Sequence, residues 1–213
     1  MKQQRPVKSI VLIAVCVSTA CNVSVNRSIE IEDGETVRKN LNTVNGNIVI
    51  GEDCDIQGKS RSVNGNIYVG RGSQVRALQT VNGRIKLGSN SKVKHDVQSV
   101  NGSITAKSGT EIGGEINSIN GKVELYHARV DDDITTINGN ITLEEKATVG
   151  GDIIVKDNKG GSNETRRLQI TIADGSVVEG DILVKDRDVK VTVYLANGGK
   201  VLGRVENAEV VNE

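Results

Sequence analysis

Thr43-Val44-Asn45-Gly46-Asn47-Ile48-Val49-Ile50 is the first of several close copies that return at a nearly fixed interval along the chain. Asn-Gly, preceded each time by Val or Ile, recurs with successive steps of 19, 18, 19, 19 and 18 residues. A repeat of nearly constant period predicts stacked coils. The pairs expected to form one corner of each coil are Asn45-Gly46, Asn64-Gly65, Asn82-Gly83, Asn101-Gly102, Asn120-Gly121 and Asn138-Gly139.

Apolar residues occupy four slots in the copies, and the residues between them are polar, charged or glycine. Counted from the asparagine, the slots lie one residue before it and three, five and eleven residues after it. The first copy fills them with Val44, Ile48, Ile50 and Ile56. Alternating runs rich in β-branched residues are typical of strands. The sequence therefore predicts an all-β, single-stranded parallel β-helix (β-solenoid) with about 18–19 residues per coil, which we expect to be right-handed.

The Asn-Gly corners have two expected roles in this fold. Glycine is expected to supply a positive φ, and the asparagine side chains are expected to stack into a hydrogen-bonded ladder. Asn-Gly is also a hairpin signal, so an antiparallel meander is the alternative. A meander needs matched apolar runs on both sides of each turn, whereas this unit recurs in one orientation.

The chain divides into five segments. We expect a lipoprotein signal peptide at 1–20, a lipidated tether at 21–25, regular coils at 26–156, an extruded polar loop at 157–167, and terminal coils with a cap at 168–213. The loop explains a longer interval between two late copies, because a solenoid can extrude residues without losing register.

Residues 1–20 have the pattern of an export signal, with a basic start, an apolar stretch and small residues before Cys21. The apolar stretch is too short to span a membrane. Small residues followed by Cys resemble a bacterial lipobox, although Ser18 stands where leucine is usual. This resemblance implies lipidation of Cys21, and Asn22 after it implies an outer-membrane address facing the periplasm. A plain secretory signal is the alternative.

Composition indicates a thin core and a chain without disulfides. There is no Phe or Trp and there are three Tyr, so Val, Ile and Leu must fill the interior. Removal of 1–20 leaves 24 basic and 27 acidic residues, a balance that names no partner. Cys16 leaves with the signal and Cys21 would carry lipid, so Cys54 stands alone and is expected to fill a small turn position.

Two later phrases, Val149-Gly-Gly-Asp-Ile153 and Val178-Glu-Gly-Asp-Ile182, resemble the repeats of bactofilins, the polymer-forming bacterial β-helix proteins. The Val-Asn-Gly-x-Ile unit behind a lipobox is similar to that of a group of bacterial envelope proteins with predicted β-solenoids. Both resemblances imply a β-solenoid fold. The resemblance to bactofilins also implies self-association.

An enzyme is the rival interpretation. Four valines from Val63 to Val81 are spaced six apart, which resembles the left-handed hexapeptide-repeat acyltransferases. Those enzymes need a catalytic histidine, but His95 and His127 fall at different places in their coils. Most coils also carry an extra residue that breaks the sixfold spacing.

Two acidic groups could carry other chemistry. Asp53 with Asp55, and the run 131–133, are candidates for a glycosidase-type carboxylate pair, and the run is a candidate calcium site. Aspartate is common at turns, however, and no aromatic sugar platform accompanies either group. The sequence therefore predicts no catalytic residue, cofactor or metal.

Charge changes sign along the chain, which in a solenoid means along the rod. Residues 28–58 hold seven acids and two bases, 59–98 hold eight bases and one acid, and 99–157 hold five bases and ten acids. We call the basic residues of 59–98 the basic belt; solvated faces without a partner are the alternative reading. The candidate interaction residues are Arg71, Arg76, Arg84, Lys86, Lys92 and Lys94 of this belt, with Arg166 and Arg167 of the loop.

The sequence predicts a non-enzymatic, lipid-anchored envelope protein whose rod is a scaffold or self-associates. The alternative is an envelope binding module that captures a glycan or another acidic polymer through the basic belt or the 157–167 loop. The expected partners are the membrane, through an N-terminal lipid, a second copy of the chain and an envelope polymer, with no nucleic acid.

Overall fold

The structure, a computed structural model, describes residues 23–158 and 166–213. These residues form strands and no helix. In chain order the strands are β1 Val23–Ser24, β2 Ile29–Ile31, β3 Thr36–Val37, β4 Leu41–Asn45, β5 Ile48–Ile50, β6 Asp55–Asn64, β7 Ile67–Val69, β8 Gln74–Asn82, β9 Ile85–Leu87, β10 Lys92–Val93, β11 Val97–Asn101, β12 Ile104–Ala106, β13 Glu111–Ile112, β14 Ile116–Ser118, β15 Val123–Tyr126, β16 Arg129–Val130, β17 Ile134–Thr136, β18 Ile141–Glu144, β19 Thr148–Val149, β20 Ile153–Val155, β21 Arg166–Ile172, β22 Val177–Val178, β23 Ile182–Val184, β24 Val189–Leu195, β25 Lys200–Val201, β26 Val205–Glu206 and β27 Glu209–Asn212.

The coils distribute their strands over three faces. Face 1 is a ten-stranded parallel sheet made of β2, β5, β7, β9, β12, β15, β18, β21, β24 and β27. Face 2 contains β3, β10, β13, β16, β19, β22 and β25 with the starts of β6 and β8. Face 3 contains β1, β4, β11, β14, β17, β20, β23 and β26 with the ends of β6 and β8. Because β6 and β8 run across the corner between them, faces 2 and 3 form one seventeen-stranded sheet.

Strand pairing confirms the β-solenoid. Every pairing is parallel and joins a strand to its equivalent in the next coil, 18 or 19 residues away in the regular coils and 29 at the longest interval, which gives about ten coils. A meander would pair its strands antiparallel. The right-handed sense remains a prediction.

Equivalent aliphatic residues stack into columns along the axis. In face 1 the slot three residues after the asparagine is almost completely buried from β5 to β24. Each buried aliphatic side chain contributes roughly 1.5–3 kcal/mol, and no coil could bury its own column alone. The members of this column are Ile48, Ile67, Ile85, Ile104, Val123, Ile141, Ile170 and Val193.

The longer interval leaves the register intact. Ile141 of β18 pairs with Ile170 of β21, although 29 residues separate them. Residues 159–165 of the predicted loop lie outside the described residues, while Asp157 and Asn158 precede that gap. The predicted boundary at 167 differs from the structure, because Arg166 and Arg167 already belong to β21 and pair with Val189 and Lys190 of β24.

One predicted apolar slot faces outward. Val44 and its equivalents are only half-buried, because they alternate with a more deeply buried residue just before them in the chain. The buried residue is always Ser or Thr, and its hydroxyl donates to a backbone carbonyl, as Thr43 does to Arg27 at 3.0 Å. A hydrogen-bonded hydroxyl is tolerated in a core. This column contains Thr43, Ser62, Thr80, Ser99, Ser118 and Thr136.

Candidate functional site

An amide ladder runs along the corner between faces 3 and 1. Each asparagine Nδ2 donates to the Oδ1 of the asparagine one coil earlier, from Asn45 onto Asn26 through to Asn138 onto Asn120, at 2.7–2.9 Å. The constant register produces this ladder, because identical side chains meet at the spacing of parallel strands, roughly 4.8 Å. The amides from Asn45 to Asn120 are exposed, so the ladder forms a regular polar edge on the surface.

The glycines of these corners are required by close approach. The prediction of a positive φ is wrong here, because the described glycines with positive φ lie elsewhere. A Cβ on Gly102 would overlap the backbone carbonyl of Gly83 one coil earlier, and a Cβ on Gly83 would overlap that of Gly65. Side chains at this corner would therefore push neighbouring coils apart.

Left-handed backbone occurs at the corner between faces 1 and 2. Its first six residues have φ between 46° and 75° and recur at the same period as the ladder. Several are Gly, Asn or Asp, the types that adopt this conformation at least cost. We call this the left-handed corner; its first six members are Gly34, Asp53, Gly72, Asn90, Gly109 and His127.

Carboxylates close the corner between faces 2 and 3. Asp133 accepts from the backbone N–H of Asp152 at 2.8 Å, and Asp152 accepts from that of Asp181 at 2.7 Å. Asp131 instead pairs with Arg129 at 2.7 Å. Within the described ranges, no three His, Cys, Asp or Glu side chains are arranged to hold a metal ion. Two members of the run 131–133 therefore have structural contacts within this chain.

The predicted carboxylate pair and the two histidines are not brought together in one site. Asp53 belongs to the left-handed corner, and the Asp55 carboxylate accepts from Gln57 at 2.9 Å. His127 belongs to the left-handed corner as well, with its Nδ1 3.0 Å from the Glu145 carbonyl oxygen. His95 is exposed after β10, at the end of a different face.

Arg166 terminates the amide ladder. Its guanidinium donates to the Asn138 Oδ1 and, at 3.1 Å, to the Ile137 carbonyl oxygen, and it pairs with Asp186. The Asp186 side chain is only 2% exposed and also accepts from the backbone N–H groups of Asn158 and Asp188. Burial alone would raise the pKa of Asp186, but these hydrogen bonds and the Arg166 charge lower it below its usual value. Arg166 thus has a structural role, while Arg167 is exposed.

The basic belt encircles the rod. Lys86 lies on face 1, and Arg84 directly precedes its strand. Lys92 lies on face 2, with Arg76 and Lys94 beside it. Arg71 directly precedes the left-handed corner. Arg71 pairs with Glu52 at 2.9 Å and Lys92 with Glu111 at 2.7 Å, and these pairs raise the pKa of both basic groups. The other four candidate interaction residues of the belt make no ion pair with any described residue. These are Arg76, Arg84, Lys86 and Lys94.

A shallow open groove accompanies the ladder. It is lined by corner glycines, by ladder asparagines and by the polar residues that directly precede strands of face 1. The lining residues are Asn66, Gly83, Arg84, Asn101, Gly102, Ser103, Asn120 and Gly121.

The predicted signal peptide and Cys21 lie outside the described residues. Cys54 is buried and free, and its Sγ lies 3.0 Å from the Glu32 carbonyl oxygen beside the left-handed corner. Within 23–158 and 166–213, no helix has the length and apolarity needed to cross a membrane.

Comparisons with protein-family models, curated proteins and solved structures find no match for this chain. The fold assignment therefore depends on strand register and burial. Any function must be inferred from the surface of the rod and from the sequence of its first residues.

Proposed function

We propose that this chain is a non-enzymatic, lipid-anchored protein of the cell envelope, most consistent with the outer membrane facing the periplasm, and that its rod is a scaffold or self-associates. The observation that carries the proposal is the continuous stack of about ten coils. Each coil is bonded to its neighbours by backbone hydrogen bonds and buried columns, so the rod holds its surface groups at fixed axial distances.

The ladder and the core support a stiff rod. Six consecutive amide hydrogen bonds lie along one edge, and aliphatic columns fill the interior from β4 to β24. A rigid element with regularly spaced polar and charged groups suits contacts that repeat along a polymer or along a second rod.

The anchor is proposed from the sequence before Cys21. Cys21→Ser is expected to abolish lipid labelling and to release the protein from the membrane as a soluble periplasmic form. Equal membrane retention of this variant would contradict the lipoprotein proposal. Density-gradient separation of inner and outer membranes tests the address.

Self-association is tested with the chain from Asn22 onward. Analytical sedimentation over a range of concentrations is expected to show assemblies, and negative-stain microscopy is expected to show rods longer than one chain or packed side by side. A strict monomer at high concentration would contradict this part of the proposal.

The second candidate is a module that binds an acidic envelope polymer. It is favoured by the exposed basic groups without an ion pair, two of which, Arg84 and Lys86, lie close together at β9. A linear polyuronate is a suitable probe, with binding measured at low and high salt. Arg84→Gln with Lys86→Gln is expected to weaken binding if this candidate is correct, whereas the paired Lys92 serves as a control position.

A further inference from the structure

Face 2 exposes two parallel rows of side chains. In each coil the inward aliphatic residue, such as Val75, is flanked by two residues that face outward, such as Gln74 and Arg76. The first row is Thr36, Asp55, Gln74, Lys92, Glu111, Arg129, Thr148, Val177 and Lys200. The second row is Arg38, Gln57, Arg76, Lys94, Gly113, Asp131, Gly150, Glu179 and Leu202.

The second row changes sign at its middle. Its first four coils carry Arg38, Arg76 and Lys94 and no acid, and its next four carry Asp131 and Glu179 and no base. The first row repeats this change at the centre, where Lys92 is followed one coil later by Glu111. The second row and the central pair of the first row therefore change sign about a point between the fourth and fifth coils of the face, while Asp55 and Arg129 of the first row have uncharged counterparts there.

We propose that face 2 is a docking surface for a second copy of this chain, packed face to face and antiparallel about a two-fold axis at that point. Such an axis brings the first coil onto the partner's eighth, the second onto its seventh, and so on. Arg38 then meets the partner's Glu179, Arg76 meets the partner's Asp131, and Lys92 meets the partner's Glu111. Each contact occurs twice, as in any isologous interface.

The remaining pairs create no like-charge contact. Gln74 meets the partner's Arg129, Asp55 meets the partner's Thr148, and Lys94 meets the partner's Gly113. A parallel arrangement in register has its two-fold axis along the rod, which exchanges the two rows and would instead place Lys94 against the partner's Lys92. Like-charge contacts of that kind oppose association, so the charge pattern selects the antiparallel pairing.

Unsatisfied charge is available on both halves of the face. Arg38, Arg76 and Lys94 are exposed and make no ion pair with any residue of the described ranges. Asp131 and Glu179 share a single base, Arg129, at 2.7 and 3.8 Å, which leaves an excess of negative charge. Eight coils at roughly 4.8 Å each give an interface roughly 38 Å long.

This inference deepens the proposed self-association and depends on it. The contacts are between exposed charges, so the dimer is expected to weaken with salt over the range in which the Debye length falls from about 10 Å to about 3 Å. Salt sensitivity alone does not identify the face, however, so the test exchanges charges.

The test uses the full chain in a nonionic detergent, with sedimentation at low salt as the readout. Arg76→Asp alone and Asp131→Arg alone each place like charges in both contacts, so each is expected to dimerise at least tenfold more weakly than the natural chain. An equal mixture of the two variants is expected to regain dimers, because every 76–131 contact between unlike variants is attractive. Arg84→Asp, on another face, is the matched control and is expected to leave dimerisation unchanged.

The outcomes separate this inference from the proposed function. Dimers restored in the mixture support face 2 as the interface. If both single variants assemble as strongly as the natural chain, the inference about face 2 is overturned while self-association remains supported. A natural chain that is monomeric at every salt concentration would overturn both. Far-ultraviolet circular dichroism of each variant verifies folding, which these exposed positions are not expected to disturb.

Discussion

The ladder corner and the left-handed corner use glycine for different physical reasons. At the ladder corner Gly102 does not have a positive φ, but a Cβ on it would overlap the backbone of the coil before it. At the left-handed corner Gly109 has a φ of 75°, and a Cβ there would overlap the side chain of Asn90 but would lie 3.4 Å from its backbone nitrogen, an ordinary contact distance. The ladder corner therefore requires glycine because neighbouring coils lie close together there. The left-handed corner requires a residue that tolerates a positive φ.

The largest expected effect comes from the same substitution at these two glycines. Gly102→Asn is expected to lower the free energy of unfolding by about 4 kcal/mol or to prevent folding. The new Cβ would overlap the backbone of Gly83, and neither the Gly102 nor the Gly83 backbone can move without separating the two coils. Gly109→Asn is expected to cost less than about 1 kcal/mol, because Asn adopts the left-handed conformation and the Asn90 side chain can rotate. Thermal unfolding followed by circular dichroism measures both, and equal losses would mean that the distinction between the corners is wrong.

The next effect concerns Arg166, which ends the ladder column. Arg166→Gln is expected to cost about 3 kcal/mol, because it leaves the Asp186 carboxylate buried without its charged partner. Arg166→Gln combined with Asp186→Asn is expected to recover part of this loss. Urea unfolding at neutral pH compares the variants, and a smaller loss for the single variant than for the double variant would contradict this role of Arg166.

Asp186 also gives the natural chain an acid dependence. Its folded pKa is lowered, so its contribution to stability is complete above the unfolded value of about 3.9 and is lost as the pH falls through the folded value. Asp186→Asn is therefore expected to flatten the decline in stability below about pH 4. Urea unfolding at pH 3 and pH 7 tests this, and an unchanged slope would count against it.

A smaller effect distinguishes the two corners through their asparagines. Asn90→Val is expected to cost about 2 kcal/mol, because a β-branched residue is strained at a φ of 58°. Asn101→Val keeps an ordinary φ and loses only the exposed amide bonds to Asn82 and Asn120, which is expected to cost about 1 kcal/mol. The melting temperatures of the two variants are expected in that order, and the reverse order would contradict it.

The sequence was sufficient for the fold because the period and direction of the Asn-Gly unit determine which residues stack. It gave the wrong reason for the glycines, because a fixed corner can require either a positive φ or a missing Cβ and both select glycine. The left-handed corner has its own signal, since Gly34, Asp53, Gly72 and Asn90 recur at the same period. Ser and Thr two residues before each ladder asparagine were an available signal for the inward hydroxyls.

Arg166 could not be identified from the sequence as the end of the ladder. It lies 28 residues from Asn138 and 20 from Asp186, outside the regular period, so only the fold brings the three side chains together. The same limit applies to the charged rows of face 2. Their signs can be read from the sequence, but their arrangement in two straight rows depends on the strand register.

Each coil advances the rod by one strand spacing, including the coil that contains the 29-residue interval. Pulsed electron paramagnetic resonance tests this directly with spin labels at outward positions of face 1, in a background where the native cysteines are replaced. From a fixed label at Glu30, labels at Thr105, Thr142 and Thr171 lie four, six and seven coils away. We expect distances of roughly 19, 29 and 34 Å. A step from Thr142 to Thr171 much longer than one strand spacing, or distances that do not rise with coil number, would contradict the account.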